Sequence, residues 1–593
     1  MRRIPSIVLL SLIVFPIIGV AQGTKSVAVK IEFNQRVRMR DGVELSADIY
    51  RPDASGRFPV VLTRTPYGRQ GAAAAAKHFA EHGYVYVAMD VRGRGDSAGD
   101  FVPWRNEGND GYDSIEWCAR QPWSNGKIGT TGLSYAAYDE WLAAVRQPPH
   151  LAAMFVHSPM SDPFFDIWLA GPGGLPTPMQ IGWFYRTSQR AKPDMSAIDW
   201  GKIYWHVPLY TLDEATGHTI TAWRDVIDHS QLSDWWSPMR YQNQYDRVSV
   251  PILHLSGWYD DTLVATPMNF IGMTKGEKTA KSQQLIIGPW AHSNKLASKL
   301  GEIDFGPSAQ MEIETLELRW FDHWLKGIAN GVDQDSPLHI FIMGENQWHD
   351  FAQWPIAQTQ WTKFYFHSKG HANSSAGDGN LSLQLPVGEL ADKYEYDPEN
   401  PVPFITDANF SQVGGPDDYQ IVERRNDVLV YSSEPLTEDT TVCGPISVQL
   451  YAASSADDTD FMAKLLDVWP NGFAQRLNDG MVRARFRGGM DQPSMIKPNQ
   501  TYSYTLNLWD TCQMFAKGHR IRVEISSSAF PKYDRNPNTG EALGKTTHWK
   551  KASQTIVHDA DHPSSITLPI IPTGSIKTPK ESVSHLTGPA MLE

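Results

Sequence analysis

From Val27 to Asp53 apolar and polar residues alternate on either side of Asp41-Gly42, a pattern that predicts a β-hairpin. Phe58 to Thr63 then reads as a short buried strand, Ala72 to His82 as a helical stretch, and Tyr84 to Asp90 as a second strand. Ile128 to Thr131 precedes a helical stretch reaching about Gln147, and Ala152 to Val156 adds a further apolar run. Strands that alternate with helices at this pitch predict a mostly parallel sheet covered on both faces. Such sheets bind ligands beyond the carboxyl ends of their strands.

Between Ser161 and about Val248 the strand rhythm stops. The segment carries Trp168, Trp183, Phe184, Trp200, Trp205, Trp223, Trp235 and Trp236 at helical spacings, which predicts a helical insertion, or cap, over 161–248. Any one of these tryptophans is expected to pack in a core before it lines a pocket. The sheet resumes with Ile252 to Ser256 and Gln284 to Ile287, and a helix from about Met311 to Ile328 closes the unit. After Pro337 the pattern changes to short β-branched and aromatic runs: Leu338 to Met343, Phe364 to Phe366, Val428 to Tyr431, Ile446 to Tyr451, Phe461 to Val468 and Ile521 to Ile525. With turn signals such as Asn471-Gly472 and Asp479-Gly480 between some of them, these runs predict an all-β sandwich or jelly roll over 336–575. Ser368 to Leu381, rich in Ser, Gly and Asn, is expected to be a surface loop.

A chain of 593 residues exceeds one core, which agrees with a first unit in two pieces, 27–160 and 249–335, the insertion, and the C-terminal unit. The net charge of −13 comes without Lys/Arg tracts, so neither a nucleic-acid groove nor an anionic membrane surface is an expected partner. Met1-Arg-Arg, an apolar run from Ile7 to Val20 and the small residues Gly19 and Ala21 predict a signal peptide over 1–21, and hence export to a periplasmic or extracellular space. The run is short and contains Pro16, which argues against a stable membrane anchor. Three cysteines, Cys118, Cys443 and Cys512, permit one internal bridge at most. Cys443 and Cys512 either pair or lie as small buried apolar residues. No Cys/His spacing suits zinc and no Gly-rich phosphate loop occurs, so neither a metal nor a nucleotide cofactor is expected.

The candidate chemistry begins at Ser134, in Ile128-Gly-Thr-Thr-Gly-Leu-Ser-Tyr-Ala-Ala-Tyr138. An apolar strand runs into Gly-X-Ser-X-Ala and then a helix, the layout of a nucleophile elbow, which lifts a serine Oγ toward a base. Gly132 and Ala136 keep the turn small. In an α/β-hydrolase an acid and then a histidine must follow downstream, each just past a strand. Asp260 and its neighbour Asp261 follow the strand that starts at Ile252, and His292 follows the strand that ends at Ile287. His292 is expected to take the proton of Ser134, with the acid holding the imidazole tautomer. Spacing alone does not separate the two adjacent aspartates.

Several further segments carry a family resemblance. They are Arg64-Thr-Pro-Tyr67, Asp90-Val-Arg-Gly-Arg-Gly-Asp-Ser-Ala-Gly99, Gly257-Trp-Tyr-Asp260 and Gly288-Pro-Trp-Ala-His292-Ser-Asn294, together with the elbow. Downstream stand Asp458-Thr-Asp-Phe461, Gly518-His-Arg-Ile-Arg522 and the run from Phe530 to Asn538. Over nearly its whole mature length the chain resembles the cocaine esterase and X-Pro dipeptidyl-peptidase family of serine hydrolases, which also holds α-amino acid ester hydrolases and cephalosporin acylases. The resemblance implies an α/β-hydrolase domain with an inserted helical cap and a C-terminal jelly roll, with the active site where the three meet. It also implies Asp260 as the acid, and an oxyanion hole made by the Tyr67 hydroxyl and the backbone N–H of Tyr135. The Arg-Gly-Arg-Gly segment at 92–95 is expected to be a structural turn beside the site.

Relatives acting on α-amino acyl substrates hold the ammonium with carboxylates that partly follow the catalytic aspartate. Here Asp260 is followed by Asp261-Thr262-Leu263, which lacks that acidic pair, although Asp162 and Asp166 could supply acids near a cap entrance. Thr262 also replaces the aromatic residue that lines the benzoyl pocket of cocaine esterase. The expected activity is hydrolysis of a small carboxylic ester or amide through an acyl-serine. The alternatives are an X-Pro dipeptidyl-peptidase acting on short peptides, an α-amino acid ester hydrolase or β-lactam acylase, and a binding module with an inert hydrolase domain. Many relatives form oligomers, so a homo-oligomer is also an expectation.

Overall fold

The computed structural model describes residues 28–276, 279–293, 295–407 and 413–576, and the predicted signal peptide lies outside them. The expected hairpin is β1 (Val29–Arg38) and β2 (Glu44–Pro52), paired antiparallel with Val29 opposite Pro52. The continuous apolar runs become the interior strands β3 (Phe58–Thr65), β4 (Val85–Asp90), β5 (Ser124–Leu133), β6 (Leu151–His157), β7 (Ile252–Tyr259) and β8 (Gln283–Ala291). These six pair in parallel. All six residues of β4 and all eight of β7 are buried, as a sheet covered on both faces requires.

Helices α1 (Ala73–Glu81), α2 (Glu107–Ala119) and α3 (Tyr135–Ala144) form the crossovers of the N-terminal half. In the insertion the helices are short. They include α4 (Ile181–Thr187) and α5 (Thr221–Asp228), and much of the rest is turn. Gly171-Pro-Gly-Gly174, Pro176 and Pro178 break any long helix that the tryptophan spacing suggests. Trp223 and Trp236 are fully buried core residues, as expected, whereas Trp168, Trp183 and Trp200 line a cavity instead. Helices α6 (Ala265–Thr274) and α7 (Ile313–Trp324) complete the layers.

One boundary moves. The run at Leu338, expected to open the C-terminal unit, is β9 (Leu338–Ile342), which pairs in parallel with β8 and carries β10 (Gln347–Phe351) as an antiparallel edge. The first sheet therefore has ten strands in the order β1-β2-β4-β3-β5-β6-β7-β8-β9-β10 and extends past the boundary expected at 335/336. A five-residue apolar run suits either sheet, and its pattern does not name its partner strand.

Apart from a two-stranded ribbon of Lys299–Leu300 with Ile303–Asp304, the remaining strands form a second, eleven-stranded sheet system, antiparallel except where Asn380 pairs with Ser432. Its longest pair, β11 (Thr440–Ser454) and β12 (Tyr502–Phe515), places Cys443 opposite Cys512, and the two form a disulfide. Backbone bonds join the two sheets: Met343 N–H donates to Cys512 O at 3.0 Å, and Met514 N–H to Met343 O at 2.7 Å. Among the described residues no helix is long and apolar enough to cross a membrane.

Candidate active site

Ser134 sits between β5 and α3 with φ 64° and ψ −122°, a conformation that costs a non-glycine residue about 1–3 kcal/mol. Neighbours hold it there. Its N–H donates to His157 O at 3.0 Å, and its carbonyl accepts from Tyr138 N–H at 2.9 Å. A Cβ at Gly132 would lie 2.5 Å from the Ala136 carbonyl carbon and 2.6 Å from the Ala136 Cβ, which explains the small residues on both sides of the serine.

Asp260 follows β7 and His292 follows β8, neighbouring strands of the sheet. His292 Nδ1 lies 2.9 Å from Asp260 Oδ1. That carboxylate also accepts from the Ser158 hydroxyl at 2.5 Å, and from the Thr262 N–H and hydroxyl at 2.8 Å each. Burial by itself would raise the Asp260 pKa, but the His292 charge and these hydrogen bonds outweigh it and hold the group at about 2. Burial likewise opposes protonation of His292, and the negative field of Asp260 overrides it, so the imidazole pKa is raised above 6.5.

Asp261 differs from its neighbour. Both of its carboxylate oxygens are buried without a hydrogen-bond partner, and the group lies between the serine cleft and a smaller cavity lined by Arg476, Asp479 and Lys532. Burial, and then repulsion from Asp260, push its pKa up to about 7. Geometry thus separates the two aspartates that spacing left equivalent.

Ser134, His292 and Tyr67 open on one cleft of about 730 Å³, walled by Trp168, Trp183 and Trp200 from the insertion. Tyr67 follows β3 and lines this cleft. Tyr135 is different: its ring is fully buried, and its hydroxyl accepts from Trp104 N–H at 2.8 Å and donates to Glu107 at 3.0 Å. The backbone N–H of Tyr135 is that of the first residue of α3 and has no acceptor within its own helix. Asp162 and Asp166 do not line the cleft. Asp162 pairs with Arg240 at 2.5 Å, and Asp166 accepts from the backbone of Ser161 and Trp168.

Two residues that orient Asp260 escape a reading of the sequence. Thr262 was legible in principle, because an aspartate readily bonds the backbone two residues on. Ser158, at φ 50°, lies 102 positions from the carboxylate it serves and carries no local signal. Among the described residues no group of three or more His, Cys, Asp or Glu is arranged to hold a metal ion.

A strained serine after a parallel strand, with a histidine–aspartate pair opening on the same cleft, belongs to a serine hydrolase. Residues 41–294 match the profile of X-Pro dipeptidyl-peptidase (S15 family), and residues 330–567 match the X-Pro dipeptidyl-peptidase C-terminal non-catalytic domain. The chain is 34% identical over 572 residues to cocaine esterase from Rhodococcus sp. (strain MB1 Bresler), covering 91% of this chain and 98% of that protein. It belongs to this family. Among solved structures, an α-amino acid ester hydrolase superposes with a TM-score of 0.80 at 27% identity, covering 93% of this chain and 98% of that one. An aminopeptidase from a marine sediment archaeon shares the fold, with a TM-score of 0.81 at 24% identity over 94% and 98% of the two chains.

Proposed function

We propose that this serine hydrolase cleaves small carboxylic esters in preference to peptides, with Ser134, His292 and Asp260 as its catalytic triad. The observation that carries the reading is the 2.9 Å bond from His292 to a buried Asp260, on a cleft that His292 shares with Ser134. His292 takes the Ser134 hydroxyl proton at Nε2 as Oγ bonds to the acyl carbon, while Asp260 stabilises the imidazolium. The Tyr67 O–H and Tyr135 N–H donate to the resulting oxyanion, each worth about 10²–10³ in rate. Collapse breaks the acyl–oxygen bond of the ester, and His292 returns the proton to the departing alcohol. Water then repeats the sequence on the acyl-serine and releases the acid.

Two further parts of the reading follow the same resemblance. The first sheet and its insertion form an α/β-hydrolase domain with a cap, and the second sheet is a jelly roll. Export is supported by the leader-like first 21 residues and by a cystine that suits an oxidising compartment. One observation favours a second substrate class: the unpartnered carboxylate of Asp261 at the cleft could receive an ammonium, as an α-amino ester or a peptide N-terminus would require.

A fluorophosphonate probe tests the nucleophile: the folded wild type should be labelled at Ser134 and the Ser134→Ala variant should not. Failure to label the wild type ends the hydrolase mechanism. Turnover of p-nitrophenyl acyl esters, Xaa-Pro anilides and α-amino β-lactams then ranks substrates. Esters should lead, and preferential release of Xaa-Pro would reassign the enzyme as an exopeptidase.

A further inference from the structure

The hydroxyl of Tyr67 is held from the insertion. Trp183, on α4, places its indole Nε1 at 3.1 Å from the Tyr67 hydroxyl oxygen. An indole N–H only donates, so the direction of this bond is fixed and the phenolic oxygen is its acceptor. A phenolic proton prefers the plane of its ring, on one of two sides, and the indole N–H excludes the side it occupies. The other side is left for an acceptor, and Tyr67, Trp183 and Ser134 line one cleft together.

Trp183 is itself immobilised. Its ring stacks on Trp104 at 5.5 Å and 13°, and on Tyr135 at 5.7 Å and 23°. It therefore touches both residues that donate to the oxyanion. Three residues further along α4, the Arg186 guanidinium lies over the Tyr67 ring, 4.4 Å from its centroid.

The Arg-Gly-Arg-Gly segment completes the brace. Arg94 is buried and donates from Nε to Pro66 O at 2.8 Å, and from its two terminal nitrogens to Thr187 O at 2.9 Å and Arg186 O at 3.3 Å. It thus ties the last turn of α4 to the residue that precedes Tyr67. The tight turn that delivers Arg94 needs Gly95 at φ 49°, where a Cβ would meet the Asp90 carboxylate at 2.2 Å.

We propose that Trp183 is a positioning residue for ester hydrolysis: its N–H sets the Tyr67 hydroxyl so that the phenolic proton faces the acyl oxygen, while Arg94 keeps α4 and the Tyr67 turn in register. Trp183 acts in this way only if Tyr67 is an oxyanion donor, as proposed above.

A double-mutant cycle on p-nitrophenyl butyrate separates the two ideas. Tyr67→Phe should lower kcat by about 10²-fold. Trp183→Phe keeps a ring in the stack and loses the N–H; it should lower kcat by about tenfold, the scale of one hydrogen bond, with KM nearly unchanged. In the Tyr67→Phe background the same change should have no further effect. Benzothienylalanine at position 183, which keeps the bicyclic shape and replaces only the N–H, should reproduce the loss of kcat and guards against misfolding of the phenylalanine variant. Wild-type kcat in the benzothienylalanine protein would overturn the assignment. So would a Trp183→Phe loss that recurs in full without the Tyr67 hydroxyl, because a pocket wall behaves that way. If Tyr67→Phe retains wild-type kcat, the oxyanion reading of Tyr67 fails and this assignment falls with it.

Discussion

Burial alone would neutralise both Asp260 and His292, and each is kept ionisable by the other. The signs of the linkage are opposite. Asp260, lowered from 3.8 to about 2, stabilises the fold above its ordinary value, and that contribution is lost as pH falls toward 2. His292, raised above 6.5, contributes below its ordinary value and loses that contribution as pH rises through its folded pKa. With His292 as the proposed base, catalysis needs the neutral imidazole, so the acid limb of kcat/KM should lie above pH 6.5. Asp260→Asn should move that limb to lower pH and reduce kcat by about 10⁴-fold. A pH–rate profile of both proteins on one nitrophenyl ester checks this, and an unshifted limb would remove His292 as the titrating base. At this scale the sequence reveals residues whose roles are tied to strand ends: Ser134, Asp260 and His292 each follow a recognisable apolar run. It conceals Ser158 and Trp183, whose hydrogen bonds span 102 and 116 positions and obey no local periodicity.

The turn from β5 into α3 forces Ser134 into the left-handed region, and the missing side chain at Gly132 gives it room. Gly132→Ala should therefore push against the backbone of Ala136, displace Oγ, and cost about 1–3 kcal/mol of stability as overpacking does. Activity should fall at least as far as the melting temperature suggests. A variant with wild-type fluorophosphonate labelling and an unchanged melting temperature would show that the turn has slack. The buried parallel strands were the most legible elements, because continuous apolar runs between turn signals have few other uses in a chain this long. The insertion was less so. Its tryptophan spacing suggested helices that Gly and Pro cut short, and β9 shows an apolar run joining the earlier sheet when the composition around it pointed to the later one.

Across the whole molecule, the insertion and the C-terminal strands are joined by a buried cation. Arg483 donates to Asp460 at 2.8 Å through two nitrogens, to Asp534 at 2.7 Å, and to Gly173 O in the insertion at 2.7 Å. Arg483→Ala would leave Asp460 buried without its cation, a change that costs about 3–5 kcal/mol. Thermal unfolding should show a clear fall in the midpoint, partly recovered in Arg483→Met combined with Asp460→Asn. An unshifted midpoint in the alanine variant would mean that solvent reaches the site. None of these partners is close in sequence, so this joint was invisible before the chain was folded.

Arg94 has a practical consequence for anyone recombining relatives of this enzyme. Because one guanidinium fastens the end of α4 to Pro66, the insertion is not an interchangeable lid. A chimera that imports a foreign 161–248 segment for its acyl preference should also bring the donor's own loops around 64–67 and 90–99. Without them it would inherit a new pocket while losing the scaffold that aims a tyrosine.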